Sequence, residues 1–145
     1  MEISDVEISN AAIKLTEKHY GKSIKIHHGS VTNMPFDNKL YDGILCHALI
    51  HLLDETERRK LISNCYSQLK KGSEIFFSVI TREVQTFGRG SLISEDRYEQ
   101  FVGLKIFLYN TNSIHREYTD CGLYQVDEIT DNYSFYLIQC KKQRL

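Results

Sequence analysis

The feature that most constrains the fold is the alternation of strand-like with helix-like segments along the chain. The segment from Tyr41 to His47 is mostly apolar and has the length of a strand. A helical pattern of apolar residues follows it, at Leu61, Ile62, Cys65 and Leu69. Strands with apolar residues on both faces are typical of parallel sheets that helices cover on both sides. The sequence therefore predicts an α/β layer protein.

Further segments extend this alternation to both ends of the chain. We predict helices over residues 5–20, 54–72 and 112–121, ended by Gly21, Gly72 and Gly122. Ser4 with Glu7, and Asp54 with Glu57, have the spacing of a capping box at a helix start. We predict strands at residues 24–28, 41–47 and 74–80 in one mainly parallel sheet, and an antiparallel pair at 123–129 and 135–141.

Length and composition favour one globular unit. A chain of 145 residues with 41% hydrophobic residues can bury a core without disulfides or metals, so we expect one domain over residues 1–145. Residues 82–110 are long for a connection, contain three glycines and show weak periodicity. Such a segment is more often a functional lid or substrate-side insertion than part of the core.

Charge and cysteine usage limit the partners and the compartment. The 18 Lys and Arg residues and 19 Asp and Glu residues give a formal net charge of -1. Without an excess of positive charge, the chain as a whole does not attract nucleic acid, which disfavours it as a partner. Modification of nucleic acid stays an alternative function because of three arginines, Arg82, Arg89 and Arg97. The four cysteines form no CxxC pair and no apolar run is long enough to span a membrane. We expect free thiols in a cytoplasmic protein.

Candidate site residues follow the predicted strands, because open parallel sheets bind ligands beyond the carboxyl ends of their strands. Glu2 stands where a carboxylate can accept hydrogen bonds from both hydroxyls of a nucleotide ribose. The alternative is that Glu2 is a frayed terminal residue without a role. Cys46, His47 and His51 invite a metal hypothesis, but their spacing matches no closed zinc site, and we predict no metal. Cys46 and His47 are adjacent on a strand and point to opposite faces, which disfavours a nucleophile–base pair.

Four pieces of sequence carry a family resemblance through their order and spacing. They are residues 2–4 (EIS), 29–36 (GSVTNMPF), 41–46 (YDGILC) and 69–74 (LKKGSE). Together they resemble the class I S-adenosylmethionine-dependent methyltransferases, a Rossmann-like fold with a mainly parallel sheet, helices on both faces and an antiparallel C-terminal strand pair. The segments 87–90 and 105–109 look like the substrate side of members that act on small molecules.

The resemblance implies roles for individual residues. Glu2 corresponds to the acid that holds the ribose of S-adenosylmethionine, Ser30 and Val31 flank the adenine, and Cys46 lies beneath the methionine moiety. His47 is the candidate for contact with the methyl acceptor or for removal of its proton. Arg89 and Tyr109 are candidates for binding the acceptor. S-adenosylhomocysteine would be the product.

Two departures from the family pattern affect what we expect. Ser30 stands where the family usually has Asp, so the adenine amino group would lose a charged acceptor. The first strand and its glycine-rich loop have no counterpart, since Met1 falls inside the second strand, so the second and fourth strands would lack a shared neighbour. We expect an N-terminally truncated methyltransferase that needs the missing segment, or a non-catalytic remnant that binds a partner, including a homodimer through the edge left open.

Overall fold

The computed structural model describes residues 3–7, 10–21, 24–34, 37–80, 91–94, 97–101, 104–130 and 134–143. Of the predicted site residues, Glu2 and Arg89 lie outside these ranges. The sequence predicted one domain, and the structure divides into two compact units, Met1–Asn38 and Lys39–Leu145.

The first unit is a strand–helix–strand motif. Strand β1 (Ile3–Glu7) is parallel to β2 (Ile24–His28), with Ile3 opposite Ile24, and helix α1 (Asn10–Tyr20) connects them and contacts both. The prediction of a helix from residue 5 with a Ser4–Glu7 capping box is wrong, because these residues pair with β2 as a strand. Gly21 ends the helix as predicted, with a φ of 62° that glycine adopts without strain.

The second unit is built around a four-stranded mixed sheet. Strand β3 (Tyr41–His47) is followed by helix α2 (Glu55–Ser67) and by β4 (Leu69–Ile80), which is parallel to β3. The predicted antiparallel end of the sheet is confirmed. It consists of strands β8 (Leu123–Thr130) and β9 (Ser134–Lys141), which follow three strands described below. Strand β9 is antiparallel to both β4 and β8, and the strand order is β3-β4-β9-β8.

The prediction that the strands at residues 24, 41 and 74 share one hydrogen-bonded sheet is wrong. Strand β2 pairs with β1, whereas β3 and β4 belong to the four-stranded sheet. Among the described residues, β3 pairs only with β4, so it is an edge strand of its sheet. The predicted burial of β3 on both faces is also wrong, because its Leu45 is 72% exposed. The α/β class itself is confirmed.

The segment predicted as a lid or substrate-side insertion contains regular structure where it is described. Strands β5 (Ser91–Ser94), β6 (Arg97–Phe101) and β7 (Leu104–Phe107) form a three-stranded antiparallel sheet. Strand β7 contacts a 3₁₀ turn at Ile50–Leu52, just beyond β3. Helix α3 (Thr111–Tyr118) then begins with an Asn110 cap, and the chain turns at Gly122 as predicted.

The core of the second unit lies between α2, α3 and the four-stranded sheet. Helix α2 has the predicted capping box, in which the Asp54 side chain accepts a hydrogen bond from the Glu57 backbone. Its buried face carries Leu61, Ile62 and Cys65. The helix ends earlier than predicted, at Ser67, because Leu69 already pairs with Tyr41 in the sheet. None of the described helices is long and apolar enough to cross a membrane.

Candidate functional site

The carboxyl end of β3 places one buried and one exposed side chain next to each other. Cys46 is buried and His47 is exposed, as alternation along a strand requires. Burial raises the pKa of the Cys46 thiol to about 12, with a backbone hydrogen bond at Ile50 acting in the opposite direction. The thiol is therefore protonated at neutral pH and is no nucleophile.

A buried serine holds the turn that follows His47. Ser78 lies opposite His47 in the register of β3 and β4, and its Oγ is 2.6 Å from His47 Nδ1. The backbone N–H of Ala48 donates to the same Oγ at 3.0 Å and to the Ser78 carbonyl at 3.1 Å. Ala48 has a φ of 50°, in the left-handed region that is strained for alanine. Such strain concentrates at functional sites.

His51 lies in the 3₁₀ turn just beyond this strand end and is buried. Burial and, to a lesser extent, the charge of His47 lower its pKa to about 4, so the ring is neutral at neutral pH. Its Nδ1 has no hydrogen-bond partner among the described residues. No group of three or more metal-binding side chains occurs within the described part of the chain.

A buried ion pair joins α2 to α3 next to this turn. The Arg58 guanidinium donates to Glu117 Oε1 at 2.8 Å from Nη2 and 3.0 Å from Nε, and to the Leu53 carbonyl at 2.9 Å. It stacks over the Phe107 ring at 3.8 Å. This pair is not among the residues predicted from the sequence. The available signal was its position, since Arg58 and Glu117 fall at helical spacing among apolar residues on buried faces.

Tyr109, predicted to bind the acceptor, is fully buried in this network. Its hydroxyl donates to Glu117 Oε2 at 2.5 Å. Burial, followed by the negative charge of Glu117, raises the pKa of Tyr109 well above its ordinary value. The structure thus gives Tyr109 a place in the core, and its contact with an acceptor stays a prediction.

In the first unit, Ser30 and Val31 follow β2 as predicted. Ser30 caps the 3₁₀ turn Val31–Asn33, where its Oγ accepts from the Thr32 backbone at 3.2 Å and lies 2.8 Å from Thr32 Oγ1. Both residues are half-buried. The turn thus fixes the backbone after β2 through a local hydrogen-bonded cap.

Comparison with known proteins agrees with these elements. Residues 1–72 match a family profile described as "Methyltransferase domain". A methyltransferase of Methanosarcina mazei, described as S-adenosylmethionine-dependent, superposes with a TM-score of 0.79 at 16% identity, over 97% of this chain and 81% of that one. The chain has the class I methyltransferase fold. The resemblance read from the sequence is therefore confirmed.

Other methyltransferases share this fold at low identity. A 1,6-didemethyltoxoflavin-N1-methyltransferase of Burkholderia thailandensis has a TM-score of 0.73 at 10% identity, over 98% of this chain and 61% of that one. The N-methyltransferase NodS of Bradyrhizobium japonicum has a TM-score of 0.68 at 14% identity, over 96% and 65%. A comparison with curated protein sequences found no match.

The family match covers the N-terminal half of the chain. Residues 1–72 run from β1 through α2 to Gly72 and include all four sequence pieces that carry the resemblance, apart from the last two residues of the fourth. The buried Arg58–Glu117 pair links this matched half to α3, which lies outside the match.

Proposed function

We propose that this chain takes part in transfer of a methyl group from S-adenosylmethionine to a small-molecule acceptor. The observation that carries the proposal is the family match over residues 1–72, which spans the carboxyl ends of β2 and β3, where the adenine and the methionine moiety are expected. Ser30 and Val31 would bind the adenine, and Cys46 the methionine moiety. Glu2 stays the ribose ligand predicted from the resemblance, although it precedes β1, whose carboxyl end is at Glu7. The release product would be S-adenosylhomocysteine.

The described ligands of structural neighbours support this choice of cofactor and acceptor class. The Burkholderia thailandensis enzyme was crystallised with 1,6-didemethyltoxoflavin and S-adenosylhomocysteine, and NodS with S-adenosylhomocysteine. Both are named as N-methyltransferases. The likeness is one of fold, so the acceptor of the present chain is proposed only as a small molecule.

The chemistry would be an in-line displacement at the sulfonium methyl group, in which catalysis is mainly alignment of the two reactants. His47, exposed at the end of β3, is the proposed contact to the acceptor, with Arg89 and Tyr109 as further acceptor-binding residues. Residues 82–110 are proposed to cover this side of the sheet. The contact between β7 and the turn at Ile50–Leu52 supports that placement. The four cysteines are free, which supports our proposal of a cytoplasmic location.

Calorimetry with S-adenosylhomocysteine tests the proposal. We expect weak binding by residues 1–145, in which we find no glycine-rich loop after a first strand. Three or four hydrogen bonds at ~0.5–1.5 kcal/mol each supply ~1.5–6 kcal/mol, which reaches only the lower end of the ~4–15 kcal/mol cost of association. A version extended at its N-terminus by a strand and a glycine-rich loop should bind. Micromolar binding by residues 1–145 as a monomer would contradict the first expectation, and no binding by the extended version would contradict the proposed function.

A matched pair of variants tests the residue assignment in the version that binds. Glu2→Gln decides whether the ribose prediction holds: a carboxylate that binds the ribose contributes ~1.5–3 kcal/mol, so its loss would weaken binding roughly tenfold to a hundredfold. Glu17→Gln, at an exposed position on α1, should leave the affinity unchanged. Equal affinities for the two variants would remove Glu2 from the site.

A second function is favoured by the edge of the four-stranded sheet. Strand β3 exposes Leu45 at an edge with no strand partner among the described residues, and such edges pair with other chains. We propose as the alternative a non-catalytic module that forms a homodimer through this edge. Light scattering should show dimers that Leu45→Lys dissociates, whereas Leu15→Lys, on exposed helix α1, should not. Monomers of the wild-type chain would refute the alternative.

A further inference from the structure

We propose that Ser78 is a positioning residue that holds His47 with its proton on Nε2. His47 then presents an N–H donor at the carboxyl end of β3, and its basic nitrogen faces the interior. This proposal deepens the proposed function, on which the ligand-binding role of His47 rests. It chooses between the two roles predicted for His47, contact with the acceptor and removal of a proton.

The hydrogen of the Ser78 hydroxyl needs an acceptor inside the protein. Ser78 is 5% exposed, so its polar atoms need partners within the protein. The Ala48 N–H donates to Ser78 Oγ at 3.0 Å, which uses the oxygen as an acceptor. Within the described part of the chain, the one acceptor recorded for the hydroxyl hydrogen is His47 Nδ1, at 2.6 Å.

The tautomer of His47 follows from this assignment. A neutral imidazole has one nitrogen that donates and one that accepts. If Nδ1 accepts from Ser78, the ring proton is on Nε2. In the opposite tautomer, both Nδ1–H and the Ala48 N–H would donate to Oγ, and the buried Ser78 hydrogen would have no described acceptor. Leaving a buried donor unpaired is unfavourable.

The backbone fixes both partners in place. Strands β3 and β4 are paired in register at His47 and Ser78. The left-handed turn at Ala48 is held by two hydrogen bonds from one N–H, to the side chain and to the carbonyl of Ser78. Because one hydroxyl contacts both the ring and the turn, the orientation of the His47 ring is coupled to a strained backbone that the surrounding sheet maintains.

The Nε2–H tautomer limits the chemistry that His47 can perform. His47 is exposed, and its Nε2 has no partner among the described residues. An Nε2–H in this place suits a hydrogen bond to an oxygen atom of a ligand, and it does not suit removal of a proton from the acceptor. Proton removal at Nε2 would first require Ser78 to give up its acceptor.

Nitrogen NMR of the histidine side chains tests the proposal directly. Long-range ¹H–¹⁵N correlation spectra of the whole, ligand-free chain at a pH where His47 is neutral identify which ring nitrogen carries the proton. We expect the Nε2–H tautomer in the wild type. In Ser78→Ala the preference should weaken to a mixture of tautomers. Ser78→Thr, which retains a hydroxyl, should restore it, and the exposed His115 on α3 should be unaffected by either change.

An Nδ1–H tautomer in the wild type would overturn the proposal, and so would a His47 spectrum that Ser78→Ala leaves unchanged. If Ser78→Ala does not fold, the wild-type tautomer still decides the question. The spectra need no cofactor, so a failure of S-adenosylhomocysteine binding, which would bear on the proposed function, is distinguishable from a failure of the tautomer assignment.

Discussion

Replacing Arg58 with methionine should destabilise the fold strongly, because it leaves the Glu117 carboxylate buried without its charge partner. The Arg58 side chain is 3% exposed and the Glu117 side chain 0%. The guanidinium makes three kinds of contact, to Glu117, to the Leu53 carbonyl and to the Phe107 ring. Removing one partner of a buried pair typically costs ~3–5 kcal/mol, much of it the desolvation of the remaining charge.

Urea unfolding followed by circular dichroism measures this loss. At a denaturant dependence of ~2 kcal/mol/M, a loss of ~3–5 kcal/mol lowers the unfolding midpoint by roughly 2 M. The matched control is Arg59→Met, one residue further along α2. Arg59 pairs with Glu55 at 3.0 Å, but both side chains are more than half exposed, so this change should cost only ~0.3–0.5 kcal/mol.

A double-mutant cycle separates the ion pair from the packing of the arginine. Glu117→Leu alone should also be strongly destabilising, since it leaves Arg58 unpaired. The double variant should lose clearly less than the sum of the two single losses, because neither charge then stays buried alone. Equal effects of Arg58→Met and Arg59→Met, or strict additivity in the cycle, would refute the reasoning.

Three further predictions concern other buried groups. The free energy of unfolding should fall by at most about 3 kcal/mol as the pH drops from 6.5 towards 4, at ~1.36 kcal/mol per pKa unit. The reason is that the pKa of His51 is lowered to about 4 in the folded chain, so only the unfolded chain takes up the proton in that range. Urea unfolding of His51→Asn should lack this pH dependence. Gly122→Ala should cost more than ~2 kcal/mol in the same assay, since Gly122 has a φ of 79° and an added Cβ would overlap the Lys141 carbonyl, whereas Gly43→Ala should be tolerated. Iodoacetamide at pH 8 should label Cys121 first in a mass-spectrometric time course, because Cys46 is buried with a thiol pKa raised to about 12; equal rates would contradict that protection.

Local sequence signals predicted the fold well where no tertiary partner competed with them. The capping box at Asp54 and Glu57 forms as predicted, because α2 packs with its apolar face on the sheet. The same spacing at Ser4 and Glu7 failed, since residues Ile3–Glu7 gain a ladder of hydrogen bonds with β2. That pairing partner lies some twenty residues away and is invisible to a local pattern.

The exposure of β3 shows a different limit. Its apolar composition is typical of a strand covered on both faces, yet β3 ends its sheet and its Leu45 is exposed. Composition indicates which surroundings suit a strand. The order of strands in the sheet determines whether the strand lies at the centre or at an edge. The resemblance to the family did indicate this outcome, because it predicted that the second and fourth strands of the family's sheet would lack a shared neighbour.

The sequence predicts candidate site residues at strand ends, but it does not predict the hydrogen bonds around them. Cys46 and His47 were identified because ligands bind at the carboxyl ends of parallel strands. Ser78 was not, because its importance depends on the register that places it opposite His47. A serine inside a strand carries no signal of its own until its cross-strand partner is known.

The buried ion pair also limits how the proposed lid could move. Residues 106–109 are buried, and Tyr109 is hydrogen-bonded to Glu117, which Arg58 ties to the turn beyond β3. Any opening of residues 82–110 must therefore occur on the N-terminal side of Ile106. We expect hydrogen-exchange mass spectrometry to show residues 106–118 as protected as α2, with protection lost in Arg58→Met and kept in Arg59→Met. Rapid exchange of residues 106–118 in the wild type, with α2 still protected, would show that the ion pair does not anchor this end of the segment.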